Sequence, residues 1–207
     1  MSSLNIRDPL ADQLITPENA CLFIVDYQPV QVASIRSMDQ GELVNNIVQV
    51  AKIARLFKVP VVLSTVNVET GINQPTIAPL LEALGPITAL DRSTVNAWED
   101  DQFRSAIMAT GRKKILACAL WTEVCLAFPV LDALKEGYEV YPVVDAVGGT
   151  SIKAHDAALV RMEQAGALPT SWVQLICELQ RDWNRTATAK QFAGILFGSE
   201  HKKTKAA

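Results

Sequence analysis

The sequence KKILACALWTEVC, at Lys113–Cys125, joins a predicted strand directly to the start of a predicted helix. The run Lys113–Leu120 is short and mostly apolar, which is typical of a strand covered on both faces. Thr122 follows it and is a good helix cap, so we expect Cys125 just inside the first turn of a helix. Backbone N–H groups of a first turn lower the pKa of a nearby thiol. This strand-to-helix turn therefore predicts a cysteine nucleophile.

Apolar and amphipathic runs alternate along the rest of the chain. Further strands are predicted at Ala20–Asp26, Pro60–Val66, Ile87–Leu90, Tyr138–Asp145 and, very short, Ala167–Leu168. Helices are predicted at Glu42–Phe57, Ile77–Leu84, Asp100–Thr110, Thr122–Glu136, Ser151–Ala165 and Ser171–Trp183. This alternation predicts an α/β fold: a doubly wound, mostly parallel sheet with helices on both faces, in a Rossmann-like three-layer sandwich. Ligands bind at the carboxyl ends of the strands in such sheets.

The length of 207 residues fits one domain of moderate size. We expect a single domain over residues 20–197, preceded by an N-terminal arm at residues 1–19. Residues 198–207 are polar and are expected to form a disordered tail. The stretch 183–197 is long for the end of a monomer, and we expect it to pack on a neighbouring subunit.

Composition narrows the class of protein. The net charge is −3, whereas a nucleic-acid binder usually has a basic face. No apolar run is long enough to cross a membrane. The segment Met1–Asn19 is polar and is interrupted by Pro9 and Pro17, unlike a secretory signal. We therefore expect a cytoplasmic protein that acts on a small molecule, with no nucleic-acid or membrane partner.

The four cysteines do not form a metal site on the evidence of their spacing. None belongs to a CxxC pair, and the two histidines are too few for a histidine-rich site. Cys21, Cys118 and Cys177 lie in apolar or helical runs and are expected to be small buried side chains. Cys125 is the cysteine at a chain turn. No metal and no other cofactor are expected.

Three residues of different chemistry lie at the carboxyl ends of predicted strands. Asp26 ends the first strand, Arg92 follows the third, and Cys125 follows the fourth. A cation stabilises a thiolate, and a carboxylate accepts the thiol proton and later returns it to a leaving group. Backbone N–H groups beside the cysteine can hold an oxyanion. The combination suits acyl transfer from an amide or a related carbonyl compound.

Several motifs together resemble a known family. FIVDYQ at Phe23–Gln28, RSTVNAW at Arg92–Trp98 and ALWTEVC at Ala119–Cys125 resemble the isochorismatase-like cysteine hydrolases. The resemblance covers residues from Ala20 to Leu168, most of the chain. Three further pieces resemble the YcaC-like branch of that family: VETG at Val68–Gly71, AFP at Ala127–Pro129 and ELQRDW at Glu178–Trp183.

The resemblance implies an Asp–Lys–Cys catalytic triad. Asp26 and Cys125 match the aspartate and the cysteine, but Arg92 stands where the lysine is expected. Arginine stays protonated and has a bulkier fork than lysine. The resemblance also implies a cis peptide bond at Leu120–Trp121 and oxyanion donors at the backbone N–H groups of Trp121 and Cys125. It further implies a homo-oligomer, and nothing in the chain matches the zinc ligands of the nicotinamidases.

Polar and aromatic residues near these motifs are candidates for lining the substrate pocket. They are Gln28, Glu69, Asn96, Trp98 and Thr122. Polar residues in loops are more often exposed to solvent than part of a pocket. We expect Glu69 to lie at the surface. His155 lies on a predicted helix and is expected to pack or to form a hydrogen bond rather than to catalyse.

Three functions remain open from the sequence. The first is a hydrolase in which Cys125 forms a thioester acyl-enzyme from a small amide or a related C–N or carbonyl substrate. The second is hydrolysis of an isochorismate-type vinyl ether with Asp26 as the acid. Family members doing this reaction can carry glycine at the cysteine position, so the presence of Cys125 favours the first function. The third is a catalytically inactive ligand-binding or assembly protein on the same fold.

Overall fold

The computed structural model describes residues 8–198, and its central feature is a five-stranded sheet. The strands are β1 (Ala20–Val25), β2 (Val61–Val66), β3 (Ala89–Arg92), β4 (Lys114–Ala119) and β5 (Glu139–Pro142). They are all parallel, in the order β3-β2-β1-β4-β5. The order reverses between β1 and β4, which is the kind of switch point where doubly wound sheets bind ligands.

Helices cover both faces of the sheet. They are α1 (Pro29–Ala33), α2 (Gln40–Phe57), α3 (Ala78–Leu84), α4 (Asp101–Ala109), α5 (Ala127–Lys135), α6 (Ile152–Gln164), α7 (Trp172–Gln180) and α8 (Ala189–Gly198). One layer groups α2, α3, α7 and α8, and the other groups α4, α5 and α6. The predicted three-layer α/β fold is confirmed.

The register of the central strands brings their carboxyl ends level. Every residue of β1 and of β4 is buried, as their continuous apolar runs predict. Val25 pairs with Ser64 on one side and with Ala119 on the other, and Val66 of β2 pairs with Arg92. The segments that follow the strands therefore meet at one edge of the sheet.

Two predicted elements differ from the structure. Ala167–Leu168 is not a strand: the chain there runs beside β5, with one bridge between Thr170 and Val143. Pro169 has no N–H to extend a ladder. The predicted helix Thr122–Glu136 is divided into a π-helical turn and α5. Helix α1 was not predicted, because five residues are too few to show helical periodicity.

The termini are described in part. Within the predicted arm, Ile15 is fully buried and its backbone N–H donates to the Glu178 carboxylate at 2.8 Å. Residues 1–7 and 199–207 lie outside the described residues, so most of the predicted tail does too. The ring of Trp183, 63% exposed, stacks on Phe197 of the same chain. Packing of this stretch on a second subunit stays a prediction.

Among residues 8–198, no helix combines the length and the apolar character needed to cross a membrane.

Tyr27 supplies a test of how the edge of the sheet is held together. Its buried hydroxyl donates to the Ala146 carbonyl at 2.5 Å, tying the segment after β1 to the turn after β5. Tyr27→Phe keeps the ring but leaves that carbonyl without this donor, so the free energy of unfolding should fall by about 1–3 kcal/mol. Urea unfolding at a fixed protein concentration measures the change. An unchanged midpoint and slope would contradict this role.

Candidate active site

Asp26 follows β1 directly and turns into the protein. Its φ of 62° lies in the left-handed region, which a short polar side chain such as aspartate tolerates better than most. Its backbone N–H donates to the Ser64 carbonyl at 3.1 Å, and its own carbonyl accepts from the Gln28 N–H at 2.8 Å. The Asp26 side chain is fully buried.

Arg92, the last residue of β3, reaches across β2 to Asp26. Its Nη1 and Nη2 donate to Oδ1 and Oδ2 of Asp26, each at 2.7 Å, and the Arg92 side chain is 1% exposed. Nη1 also donates to the Thr65 carbonyl at 3.0 Å. Burial would lower the pKa of Arg92, but the hydrogen bond and negative charge of Asp26 outweigh it and raise that pKa. The bidentate pair fixes the Asp26 carboxylate in one orientation.

Cys125 lies in the π-helical turn Thr122–Leu126, between β4 and α5. The turn is closed by the Leu126 N–H, which donates to the Trp121 carbonyl at 3.1 Å. The half-buried thiol lies beside the Asp26 carboxylate and the Trp121 backbone, both of which act on its pKa. The structure thus brings Asp26, Arg92 and Cys125 together at the carboxyl edge of the sheet.

The protonation of Cys125 differs from the prediction. Burial, then the negative charge of Asp26 and the hydrogen bond to it, raise the pKa of Cys125 to about 12. The positive charge of Arg92 and the hydrogen bond with the Trp121 backbone lower it but are outweighed. The predicted lowering by a helix start is therefore wrong, because the sulfur is buried against a carboxylate.

Thr122 also differs from its predicted role as a helix cap. The turn begins after Trp121 without a side-chain cap, and the Thr122 hydroxyl bonds to Nδ1 of His155 at 2.9 Å. His155 therefore forms a hydrogen bond, as predicted, and burial lowers its pKa. The Thr122 N–H donates to the Gly148 carbonyl at 2.9 Å, which joins the turn to the segment before α6.

Trp121 is held at the entrance to the turn. Its indole N–H donates to Oγ of Ser34 at 2.6 Å. The Leu120–Trp121 peptide bond is cis, at the position that the family resemblance implies. The contact with Ser34 was missed from the sequence, since nothing in the spacing relates positions so far apart.

Gln28 and Glu69, two of the predicted pocket residues, belong to the segments that follow β1 and β2. Gln28 is fully buried, and its Nε2 donates to the carbonyls of Val66 and Gln74 at 3.1 and 2.6 Å. Its Oε1 accepts from the Val66 N–H, so its amide holds the chain after β2. Glu69 is exposed, in keeping with a surface position.

Asn96 and Trp98, two further predicted pocket residues, serve local structure. The side-chain Oδ1 of Asn96 accepts from the Trp98 N–H at 3.1 Å, and its side-chain Nδ2 donates to Asp132 at 2.7 Å. Trp98 is 5% exposed and packs edge-on against Phe103 and Tyr138. Its indole N–H donates to the carboxylate of Glu136, at the end of α5. A pocket role for either residue has no support from these contacts.

The other cysteines follow the prediction in part. Cys21 and Cys118 are buried, but Cys177 is exposed, so its predicted burial is wrong. Cys177 lies on α7, whose buried residues include its neighbour Ile176 and the nearby Leu179. No three His, Cys, Asp or Glu side chains among residues 8–198 are grouped so as to hold a metal ion.

Comparison with known proteins assigns the family. The isochorismatase domain model matches residues 20–174, three quarters of the chain. The chain belongs to the isochorismatase family. The resemblance seen in the motifs of β1, β3 and the Cys125 turn is thereby confirmed.

The chain is similar to YcaC proteins in both sequence and structure. The probable hydrolase YcaC of Escherichia coli strain K12 is 36% identical over 167 residues, 80% of this chain and 79% of that protein. YcaC from Pseudomonas aeruginosa, solved with hexane-2,5-diol and covalent acrylamide, is 33% identical with a TM-score of 0.84. The Escherichia coli YcaC structure, described as an octameric hydrolase of unknown specificity, is 30% identical with a TM-score of 0.84. Each of the two structural matches covers 94% of this chain and 96% of the YcaC chain.

The buried ion pair gives a prediction for stability. Arg92→Met leaves the Asp26 carboxylate buried without its partner and should lower the free energy of unfolding by about 3–5 kcal/mol. The double variant Asp26→Asn/Arg92→Met removes both charges and should be more stable than Arg92→Met alone. Chemical denaturation of the three proteins tests this. A single variant as stable as the unmodified chain would contradict the importance of the pair.

The thiol gives a prediction for ionisation. Asp26→Asn removes the charge and the carboxylate hydrogen bond that raise the pKa of Cys125, and it leaves Arg92 uncompensated nearby. The pKa of Cys125 should therefore fall below about 12. The pH dependence of Cys125 alkylation by iodoacetamide, read by peptide mass spectrometry, measures it. A pKa that is unchanged or higher in the variant would show that Asp26 does not control the thiol.

Proposed function

We propose that this chain is a metal-independent hydrolase in which Cys125 attacks a small amide or a related carbonyl compound. The observation that carries the proposal is the grouping of the Cys125 thiol with a buried carboxylate that a guanidinium holds through two hydrogen bonds. Nucleophile, base and a group that orients the base stand in the order that covalent catalysis requires. Asp26 acts as the base and Arg92 as the orienting cation.

The attack begins from a neutral thiol. Because the pKa of Cys125 is raised to about 12, the thiolate is scarce at neutral pH, and Asp26 takes the proton as the sulfur–carbon bond forms. The influence of Asp26 on the pKa of the thiol supports its role as the base that takes this proton. The backbone N–H groups of Trp121 and Cys125 then hold the oxyanion.

Arg92 contributes through its charge rather than by touching the substrate. Its side chain is 1% exposed, and at rest its positive charge is balanced by Asp26. Once Asp26 has taken the thiol proton, that balance is removed at the moment when the oxyanion carries negative charge. The cation then stabilises the intermediate through a buried, weakly screened site. Arg92 thus supplies the positive charge that the family lysine would supply, although both of its terminal nitrogens donate to Asp26.

The reaction closes in two further steps. The carbon–nitrogen bond breaks, Asp26 gives its proton to the departing amine or ammonia, and a thioester remains on Cys125. Water then attacks the thioester carbon and gives a proton to Asp26. The carbon–sulfur bond breaks and Asp26 returns the proton to the sulfur. One amide and one water become one carboxylic acid and one amine.

The relatives support the proposal. The Pseudomonas aeruginosa YcaC structure holds acrylamide covalently, and acrylamide is a small amide whose alkene reacts with thiols. The Escherichia coli YcaC is described as an octameric hydrolase. We extend a hydrolase activity and a homo-oligomeric state to this chain on that basis. A cytoplasmic location stays a prediction.

Trapping the acyl-enzyme tests the mechanism. In a screen of small amides, mass spectrometry of the quenched protein should find an acyl group on Cys125. Cys125→Ala and Asp26→Asn should each lower kcat by about 1,000-fold or more, since the members of such a unit fail together. Cys177→Ala alters the exposed cysteine and should leave turnover unchanged.

Other outcomes separate the alternatives. Turnover that survives Cys125→Ala but is lost in Asp26→Asn would replace the thioester route with acid-catalysed vinyl-ether hydrolysis. Turnover of a substrate that is unaffected by both substitutions would contradict the mechanism. No turnover in the screen and no acyl group on Cys125 would favour the inactive binding protein.

A further inference from the structure

The first observation concerns the charge balance of the buried site. Both terminal nitrogens of Arg92 donate to Asp26, so the guanidinium and the carboxylate neutralise each other. The remaining Nε of Arg92 has no partner, but it is itself buried, as is the whole side chain. The site thus offers an incoming anion no accessible charge from Arg92.

The second observation concerns the surface around the site. Segments that follow the strands at their carboxyl ends each expose a large apolar side chain: Val30 (60%), Ile72 (78%), Val95 (61%) and Ile152 (61%). We call these four residues the apolar rim. They lie on α1, on the loops after β2 and β3, and at the start of α6.

Hydrogen bonds hold these segments around the Cys125 turn. The Asn73 side chain donates to Gln31 at 3.3 Å and so joins the loop of Ile72 to α1. The Arg36 N–H donates to the Gly149 carbonyl at 3.0 Å, joining the end of α1 to the segment before α6. Helix α6 packs in turn against the turn that carries Cys125.

Charged side chains on the same segments do not favour an anion. The cations are Arg36 and Lys153, and the carboxylates include Asp39, Glu69, Glu99, Asp100 and Glu123. The Arg36 guanidinium is folded onto the carbonyls of Ala33 and Ile35 at 2.8 and 2.7 Å. The carboxylates outnumber the cations, so there is no positive field to draw an acid toward the thiol.

We propose that the site selects an uncharged, largely apolar small amide and rejects substrates that carry a carboxylate. The inference rests on the proposed function, because it names the substrate class of the same Cys125 site. A neutral substrate keeps the buried site neutral at every step, since the proton passes to Asp26 as the oxyanion forms. A carboxylate would add an uncompensated negative charge throughout, which a buried site disfavours.

The ionisation of the thiol supports the same conclusion independently. At the sulfur, the negative charge of Asp26 outweighs the positive charge of Arg92, and together with burial this raises the pKa of Cys125. The environment that disfavours a thiolate also disfavours a substrate anion beside it. Cover of part of the apolar rim by another subunit would leave this balance unchanged.

A matched pair of alkylating reagents tests the charge preference without needing turnover. Iodoacetamide and iodoacetate are similar in size and differ in charge, and the exposed Cys177 serves as the internal control. The rate ratio of iodoacetamide to iodoacetate at Cys125 should exceed the ratio at Cys177 by about tenfold or more. Equal ratios would overturn the proposal. So would no labelling of Cys125 by either reagent at alkaline pH, where part of the thiol is ionised, because a site open to a small neutral amide admits iodoacetamide.

A charge placed on the apolar rim tests the cause. Val95→Lys should raise the iodoacetate rate at Cys125 while leaving the iodoacetamide rate nearly unchanged. Met108→Lys puts the same charge at the end of α4, on a residue that is 54% exposed, and should change neither rate. Equal effects of the two substitutions would overturn the role assigned to the rim.

A matched pair of amides connects the preference to catalysis. Butyramide and succinamate differ by a carboxylate in place of a methyl group, and kcat/KM should be about 100-fold higher for butyramide. Faster hydrolysis of succinamate would overturn this inference while leaving the hydrolase proposal intact. Selective labelling by iodoacetamide without hydrolysis of any amide would support the neutral ligand class and count against the hydrolase.

Discussion

The bidentate ion pair between Asp26 and Arg92 is the interaction on which the rest of the site depends. It joins the ends of β1 and β3 across β2 and is almost completely buried. Removing two charges from water is costly, and only close, two-point geometry offsets that cost. The left-handed backbone at Asp26 turns its carboxylate toward Arg92 and toward the thiol of Cys125.

This pair sets the resting state of the nucleophile. A carboxylate in contact with a buried sulfur keeps the thiol protonated, while the nearby cation limits the effect. The site is therefore neutral before the reaction and stays neutral while one proton moves from Cys125 to Asp26. The same balance underlies both the proposed mechanism, which needs no preformed thiolate, and the proposed preference for uncharged amides.

The sequence was informative where burial alone decides structure. Short continuous apolar runs such as Ala20–Asp26, alternating with amphipathic runs, indicate the strands of a covered parallel sheet. The carboxyl ends of those strands bring Asp26, Arg92 and Cys125 to one edge. It failed where contacts between distant segments decide. The hydroxyl of Thr122 forms a hydrogen bond with His155 instead of capping a helix. The pKa of Cys125 is raised by burial and by the nearby Asp26 carboxylate, and both depend on the folded chain. The absent sixth strand reflects one proline.

The most direct measurement is infrared spectroscopy of the thiol in the unliganded protein at neutral pH. The S–H stretching band of Cys125, identified by its loss in Cys125→Ala, reports both protonation and hydrogen bonding. The account predicts that the band is present and that it shifts in Asp26→Asn, where the carboxylate acceptor is gone. Absence of a Cys125 S–H band at neutral pH would mean a preformed thiolate and would contradict the central claim.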